Sequence, residues 1–510
     1  MNSVKSSKKR WGGELALWFL VGVGAVGHAA DVPTSIVLIY ADDLGYGEVK
    51  ALNPDRCKLD TPAMDSLARE GMVFTDGHSA SAVCTPSRYS LLTGRYAWRS
   101  TLQKGVLNPW GKNLIRPERI TLPELVKTKG YVTAAIGKWH LGWDWQKREG
   151  QYVFDEPVRG GPVDHGYDYY FGPDVPDFPP FAWVENDRLT ALPTVNSTPD
   201  PRGGRGGPMV PSWDPEDMLS ILADKATDYL KARAEDQQPF FLYFGLTSPH
   251  TPIVPSTDWT GKSGMGAYCD FVLETDHTVG RVLQALKETE LDKNTLVLFS
   301  SDNGCSSGPS KSIKLAKEYG HYTSAKLRGH KGSSFEGGTR VPFIVRWPGV
   351  VPAGSRCDRT VCQIDIMATV ADVLGIEMPG TAGVDSISFL PLLKDPEAVA
   401  PRDALVLHNY YGQFSLRQGD YKLIFAPGNG GGFGGGPSDA DAIQRGDPRV
   451  QLYSLADDPA EAVNLANSYP EVVERLIQRM NALKQAGRST PGAPQKNDAD
   501  IEIFKTVPMK

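Results

Sequence analysis

The sequence predicts an α/β fold: a large, mostly parallel (mixed) sheet sandwiched by helices, with a smaller C-terminal α+β domain carrying an antiparallel sheet. Three observations predict it. Five runs, Ser35–Tyr40, Tyr131–Ile136, Phe240–Phe244, Thr295–Ser300 and Val341–Arg346, are apolar along their length rather than alternating, as parallel strands buried on both faces are. Helix punctuation lies between them. Beyond Pro391 and Pro396 the strand-like runs shorten, so a second domain is expected from about Ala398.

Taken in order, the chain begins with Lys5, Lys8, Lys9 and Arg10, an apolar run from Leu15 to Gly27, and small residues through Ala30. This is the three-part pattern of a secretory signal, with cleavage expected after Ala29. The run is shorter than the roughly 18 residues a spanning helix needs, so no stable membrane anchor is expected and the product is periplasmic or extracellular. Removing residues 1–29 leaves 50 basic against 59 acidic groups, a net charge of −9 compared with −6 for the whole chain. Such a balance offers no footprint for nucleic acid. The expected division is therefore 1–29 signal, 30–397 main domain and 398–510 smaller domain.

Thr61-Pro62 opens a helix that closes at Gly71, and Thr121 with Glu124 forms a capping box for a helix that ends at Gly130. From Trp143 to Gln238 the pattern weakens around a glycine-rich stretch, 202–207, and reads as a long insertion over the strand ends. Tyr268–Arg281 reads as an amphipathic helix in which Asp276 and His277 are structural. Asp365–Leu374 is expected to be the last helix of the main domain, followed by the strands Ala404–His408 and Tyr421–Phe425. The glycine-rich stretch Pro427–Pro437 is expected to be a flexible loop, because no GKS or GKT follows to make it a phosphate cradle. The six cysteines lack zinc-like spacing; Cys357 and Cys362 are the nearest pair.

Chemistry gathers at the strand ends. The first run leads into Asp42 and Asp43, and the fourth delivers Asp302 and Asn303; ligands collect just beyond such ends in open α/β sheets. Three carboxylates and an amide oxygen make a hard, all-oxygen site suited to calcium or magnesium. Between them, Cys84 precedes Pro86, which suits a first helical turn; Cys84 is therefore expected at a helix N-terminus, where free N–H groups favour an anion. Lys138 and His140 follow the second run, and His250 follows the third.

Cys84-Thr85-Pro86-Ser87-Arg88, with Leu92-Thr93-Gly94-Arg95, resembles the signature of the type I sulfatases of the alkaline phosphatase superfamily, of the arylsulfatase A and N-acetylgalactosamine-6-sulfatase kind. The resemblance continues through Ala41–Gly47, Gly137–Gly142, Ser301–Gly304, Lys331-Gly332 and Glu336–Gly338. It reaches Gly419–Ile424, Leu452–Leu455 and Asp458-Pro459.

It implies that Cys84 is oxidised by a formylglycine-generating enzyme to formylglycine, whose hydrate is the nucleophile steadied by Arg88. It also implies one Ca2+ held by Asp42, Asp43, Asp302, Asn303 and the group derived from Cys84. One hydroxyl of the hydrate would attack sulfur, polarised by Asp302 near calcium; His140 would take a proton from the other. Lys138, His250 and Lys331 would hold the sulfate, with His250 and Lys331 serving the departing oxygen.

The implied substrate is a sulfated glycan or aryl sulfate. Alternatives are a phosphodiesterase or phosphonate monoester hydrolase of the same superfamily, or a non-catalytic glycan-binding relative. Which sugar and carbon, endo or exo attack, oligomeric state and disulfide pairing stay open.

Overall fold

The computed structural model describes residues 35–236, 238–429 and 437–505. The expected signal segment lies outside the described residues, as do 430–436 of the glycine-rich stretch. The described residues form one compact unit.

Ten strands make the main sheet. At its centre Thr295–Ser301, Ser35–Ala41, Phe240–Gly245, Val132–Gly137 and Tyr169–Gly172 lie side by side in that order, all parallel. Along Ser35–Ala41, Ile36, Leu38 and Tyr40 enter the apolar layer on one face and Val37, Ile39 and Ala41 the layer on the other. Two buried faces explain why these runs read as unbroken apolar stretches.

The fifth run departs from expectation. Its strand, Phe343–Arg346, is antiparallel to Thr295–Ser301, with Ser300 opposite Phe343, and antiparallel also to Met72–Phe74. After Ser301 the chain does not cross back over the sheet. It stays at the strand's C-terminal end through the short helices Ser307–Ser310, Ser312–Tyr319 and Glu336–Thr339, and re-enters from there, where Gly304 N donates to Gly338 O at 3.0 Å. A parallel neighbour needs a crossover to the opposite end.

The stretch Trp143–Gln238 is only partly an insertion. Tyr169–Gly172, Val184–Glu185 and Arg188–Leu189 extend the main sheet, and the helix Met218–Asp236 packs against its face. What runs beyond the strand ends is mainly 173–183 and the hairpin Val195–Ser197 with Gly207–Met209.

The helix Pro62–Glu70 ends at Gly71, which is extended rather than left-handed; a Cβ there would lie 2.3 Å from Val345 O. Close strand approach, not a left-handed cap, demands that glycine. Its N-terminal N–H groups go to a residue remote in sequence: Asp276, on the helix Ala267–Glu288, accepts from Ala63 N and Met64 N at 3.1 and 2.9 Å. The capping box of Thr121 and Glu124 forms over Leu122–Lys127.

Leu405–His408, Phe414–Gln418, Tyr421–Ile424 and Gln451–Ser454 form an antiparallel four-stranded sheet on which the helix Pro470–Ala486 packs. All six cysteines are free thiols. Cys357 and Cys362 do not pair because they end strands of two different sheets, one beside Phe74 and the other beside His78.

Candidate active site

The parallel registers put the site residues on one level. Ala41 is opposite Ser301, Tyr40 opposite Gly245, and Gly245 opposite Gly137, so the next residues, Asp42, Asp302, Leu246 and Lys138, emerge along one edge. Gly137 has φ +109°, and a Cβ there would lie 1.8 Å from Gly245 O; only glycine lets Lys138 leave the sheet so close to its neighbour.

Cys84 is the first residue of a wholly buried helix, Cys84–Thr93, whose N-cap Val83 offers no side-chain cap. Its first N–H groups and the helix dipole therefore favour a negative charge there. Arg88 lies one turn on, over the same face. Arg88 Nε and Nη2 donate to Asp302 Oδ2 at 3.1 and 2.9 Å, and Nη1 donates to Tyr243 Oη at 2.8 Å and Lys138 O at 3.3 Å. Lys138 Nζ donates to Asp42 Oδ2 at 2.7 Å, and Lys331 Nζ to Asp43 Oδ2 at 2.8 Å. Three buried cations thus face three buried carboxylates.

The balance is uneven. Burial opposes ionisation of Asp302, but Arg88, then Lys138 and Lys331, outweigh it and hold the carboxyl below its ordinary range. Burial dominates at Asp42, whose carboxyl is pushed up to about 8 despite Lys138. Burial opposes the charge on Lys331 and Lys138, but the combined pull of the acidic groups around each, Asp43 first for Lys331 and Asp42 first for Lys138, outweighs it and holds both above the ordinary lysine range. Burial, then Asp302, pushes the Cys84 thiol up to about 12, so this thiol is no nucleophile as it stands.

His140 has φ +56°, and its backbone N–H is held by Asp174 Oδ1 at 3.1 Å. Its Nε2 lies 3.0 Å from Leu107 O, and a carbonyl only accepts; Nε2 therefore carries the proton. Burial, then Lys138, keeps the ring neutral, and the buried Nδ1 has no hydrogen-bond partner, which leaves it a lone pair for a proton. His250 donates from Nδ1 to Thr251 O at 2.7 Å, and its Nε2 lies 4.0 Å from Asp43 Oδ2. Burial, then Lys331, brings its pKa down to about 4.

Whether these residues suit a metal ion is tested by Asn303. Its Nδ2 donates to Asp43 Oδ1 and Gly304 O at 2.8 and 2.9 Å, which leaves Oδ1 buried and without a partner. That orphaned oxygen, beside three carboxylates of which one lacks enough positive charge to ionise, fits a hard cation. Asp42, Asp43, Cys84 and His250 also bring ligand atoms within 4.8 Å of one another. A hard cation prefers the carboxylate and amide oxygens to the protonated thiol. A second such group, Asp76, His78 and Glu336, is saturated by Arg340, Arg417 and Lys422 and reads as an ion-pair network.

All ten sequence-derived site residues converge here. Sequence reasoning missed Tyr243, Asp174, Leu107 and Phe178, whose ring stands edge-on to His140 at 5.4 Å. Tyr243 alone left a trace, as a hydroxyl inside a run otherwise without polar groups. Three other histidines have other employment: His321 accepts from Lys58 N, His165 stacks on Trp139, and His78 meets Asp76.

The Sulfatase family model matches residues 34–376, and a model described as N-sulphoglucosamine sulphohydrolase, C-terminal, matches 330–425. An N-acetylgalactosamine-6-O-sulfatase of Bacteroides thetaiotaomicron is 32% identical over 88% of this chain and 93% of its own. Arylsulfatase A of Bos taurus is 31% identical over 92% and 90%. Among solved structures, a sulfatase from a Bacteroides thetaiotaomicron locus for metabolism of multiple glycosaminoglycans superposes with TM-score 0.78 at 30% identity, over 89% of this chain and 99% of that one. No helix among the described residues is long and apolar enough to cross a membrane. By the family match and these relatives, the chain belongs to the sulfatase family and is a sulfuric ester hydrolase.

Proposed function

We propose that the chain removes sulfate from sulfated carbohydrates, using formylglycine made from Cys84 and one Ca2+. The observation that carries this reading is the convergence of Cys84, at an uncapped helix N-terminus, with three carboxylates, three buried cations and the orphaned Asn303 Oδ1. The similarity to sulfatases named for a sulfated amino sugar supports the substrate class.

Asp42, Asp43, Asp302 and Asn303 would hold the ion, with the group derived from Cys84 completing the set. When present, formylglycine hydrate supplies two hydroxyls on one carbon, one to attack sulfur and one through which sulfate is released, and Ca2+ supplies fixed positive charge beside them. Arg88, Lys138 and Lys331 place cations in advance where charge grows on the sulfate oxygens, usually the largest contribution to catalysis. His140 Nδ1 takes the proton from the releasing hydroxyl, its tautomer set by Leu107 O. Neutral His250 accepts a hydrogen bond, and an incoming anionic sulfate raises its basicity. Cationic Lys331 stabilises and protonates the leaving oxygen, and His250 assists it once Nε2 has taken a proton from solvent.

The same reading places a signal segment at 1–29, cleaved on export, the catalytic domain at 30–397 and a smaller domain at 398–510, with a formylglycine-generating enzyme acting on Cys84. The test is sulfate release from defined sulfated glycans and an aryl sulfate, comparing wild type with Cys84→Ala. Release by wild type alone, with the Cys84 peptide 18 mass units lighter than the thiol form as the chemistry of conversion demands (roughly, for loss of sulfur and gain of oxygen with two hydrogens removed), supports the reading. A converted protein that releases nothing from any of them, yet cleaves a phosphodiester, overturns it.

A further inference from the structure

We infer that a groove beside the sulfate site binds a second anionic substituent of the same polymer, so that the substrate is an oligosaccharide carrying several negative charges. This rests on the hydrolase reading above and deepens it. The groove, of about 540 Å³, runs between the Arg202–Gly203 turn and the segment 308–315. That volume is in the range that holds a drug-sized ligand, roughly 300–1,000 Å³.

Both walls spring from site residues. Thr251 lines one wall, directly follows His250, and accepts its Nδ1–H. Tyr268 lines the other end and donates to Cys305 Sγ at 3.3 Å; Cys305 follows Asn303 by two residues, and its carbonyl accepts Lys331 N at 2.9 Å. Thr251 thus brings the groove to one residue from His250, one of the two groups assigned to the leaving oxygen.

Its charge is the telling feature. Arg202, Lys311 and Lys314 line it and no carboxylate does, in a protein whose net charge is −6. Arg202 is held in place by Asp200 at 2.8 Å and Glu216 at 3.3 Å, so its guanidinium is prepositioned. Lys314 has only a loose exposed partner, Glu318 at 3.6 Å, and Lys311 has no ion pair among the described residues. Lys311 also sits at φ +54°, between two short helices, in a conformation where glycine is the easy choice. Ile253 adds apolar surface to the same wall for a sugar face.

The test measures binding to the non-hydrolysing Cys84→Ala protein, with fluorescent hexasaccharides and disaccharides of chondroitin 6-sulfate, which bears sulfate and carboxylate, and of κ-carrageenan, which bears sulfate alone. Lys311→Ala with Lys314→Ala should weaken hexasaccharide binding by about tenfold, as expected for two exposed ion pairs, and leave disaccharide binding unchanged. A response with the first polymer only assigns the groove to a carboxylate; a response with both, to sulfate. The control removes two lysines elsewhere, Lys231→Ala with Lys287→Ala, which line grooves among the helices Pro62–Glu70, Met218–Asp236 and Ala267–Glu288. An equal loss in that control, an equal loss for disaccharides, or no hexasaccharide binding by the parent protein overturns the inference. Sulfate release by wild type in the face of that last result would leave the hydrolase reading standing.

Discussion

Replacing Lys422 by Met should destabilise the protein in a way that grows with pH. Lys422 is fully buried, and its Nζ lies 3.0 Å from Glu336 Oε1 and 2.9 Å from Glu461 Oε1. Met fills nearly the same volume but leaves the carboxylates behind. Glu336 keeps Arg340, whose Nη2 is 2.6 Å from Oε2, and stays ionised. Glu461 keeps only the Glu336 N–H at 2.7 Å. Stranding one partner of a buried pair costs about 3–5 kcal/mol.

Burial already raises the Glu461 carboxyl above its ordinary range, with Lys422 opposing; losing Lys422 raises it further. Above the ordinary pKa of 4.5 the native variant then holds a proton that the unfolded chain has released. Its stability falls as pH rises, by up to about 1.4 kcal/mol per unit. Urea unfolding of wild type and Lys422→Met at pH 5.5 and 7.5 should show the smaller penalty at pH 5.5, and Glu461→Gln in the variant background should recover part of the loss at pH 7.5. A penalty below about 1 kcal/mol, or one that does not change between the two pH values, would refute the reasoning.

Arg88→Lys keeps the charge but loses the fork that makes four hydrogen bonds to Asp302, Tyr243 and Lys138; kcat/KM for sulfate release should fall about 10²–10⁴-fold, for the loss of two charge-assisted bonds. Asn303→Leu removes the orphaned Oδ1, so Ca2+ should raise the thermal midpoint of wild type and leave that of the variant unmoved, whatever the activity of either. Asp276→Ala should cost about 1–2 kcal/mol in urea unfolding, as a lost helix cap does, with kcat/KM unchanged, because it strips the acceptors from Ala63 N and Met64 N.

What the sequence discloses about this fold follows from range. Ser35–Ala41 and its parallel neighbours are legible because burial on both faces is written locally, as an unbroken apolar run. The direction of Phe343–Arg346 is not, because it depends on which end of Thr295–Ser301 the chain occupies between 302 and 342, and no local pattern carries that. The site divides along the same line. Asp42, Asp302, Lys138 and Cys84 stand immediately after strands or at the first turn of a helix, so element ends alone locate them. Leu107 O selects the His140 tautomer through a backbone carbonyl, which any residue would provide.

Glu336 and Lys422 show where resemblance outruns local reading. Both lie in stretches of the sequence that carry the resemblance, yet neither has visible chemistry in its own neighbourhood. The structure joins them in one buried network, and that network bears on the candidate site through the chain between them. Glu461 accepts Glu336 N with its side chain and Arg328 Nη1 with its backbone carbonyl, while Asn409 and Ser415 hold Ser334. Lys331 sits within the segment 328–336 that these contacts pin, its own N–H on Cys305 O and the next on Ala82 O, two residues before Cys84. A loop lysine can serve as a fixed cation only if its loop is fixed, since catalytic charge must be placed before the reaction to be worth its full electrostatic effect. The antiparallel sheet carrying Lys422 and Ser415 is therefore part of what holds Lys331 to Asp43, although it contributes none of the ten residues of the candidate site.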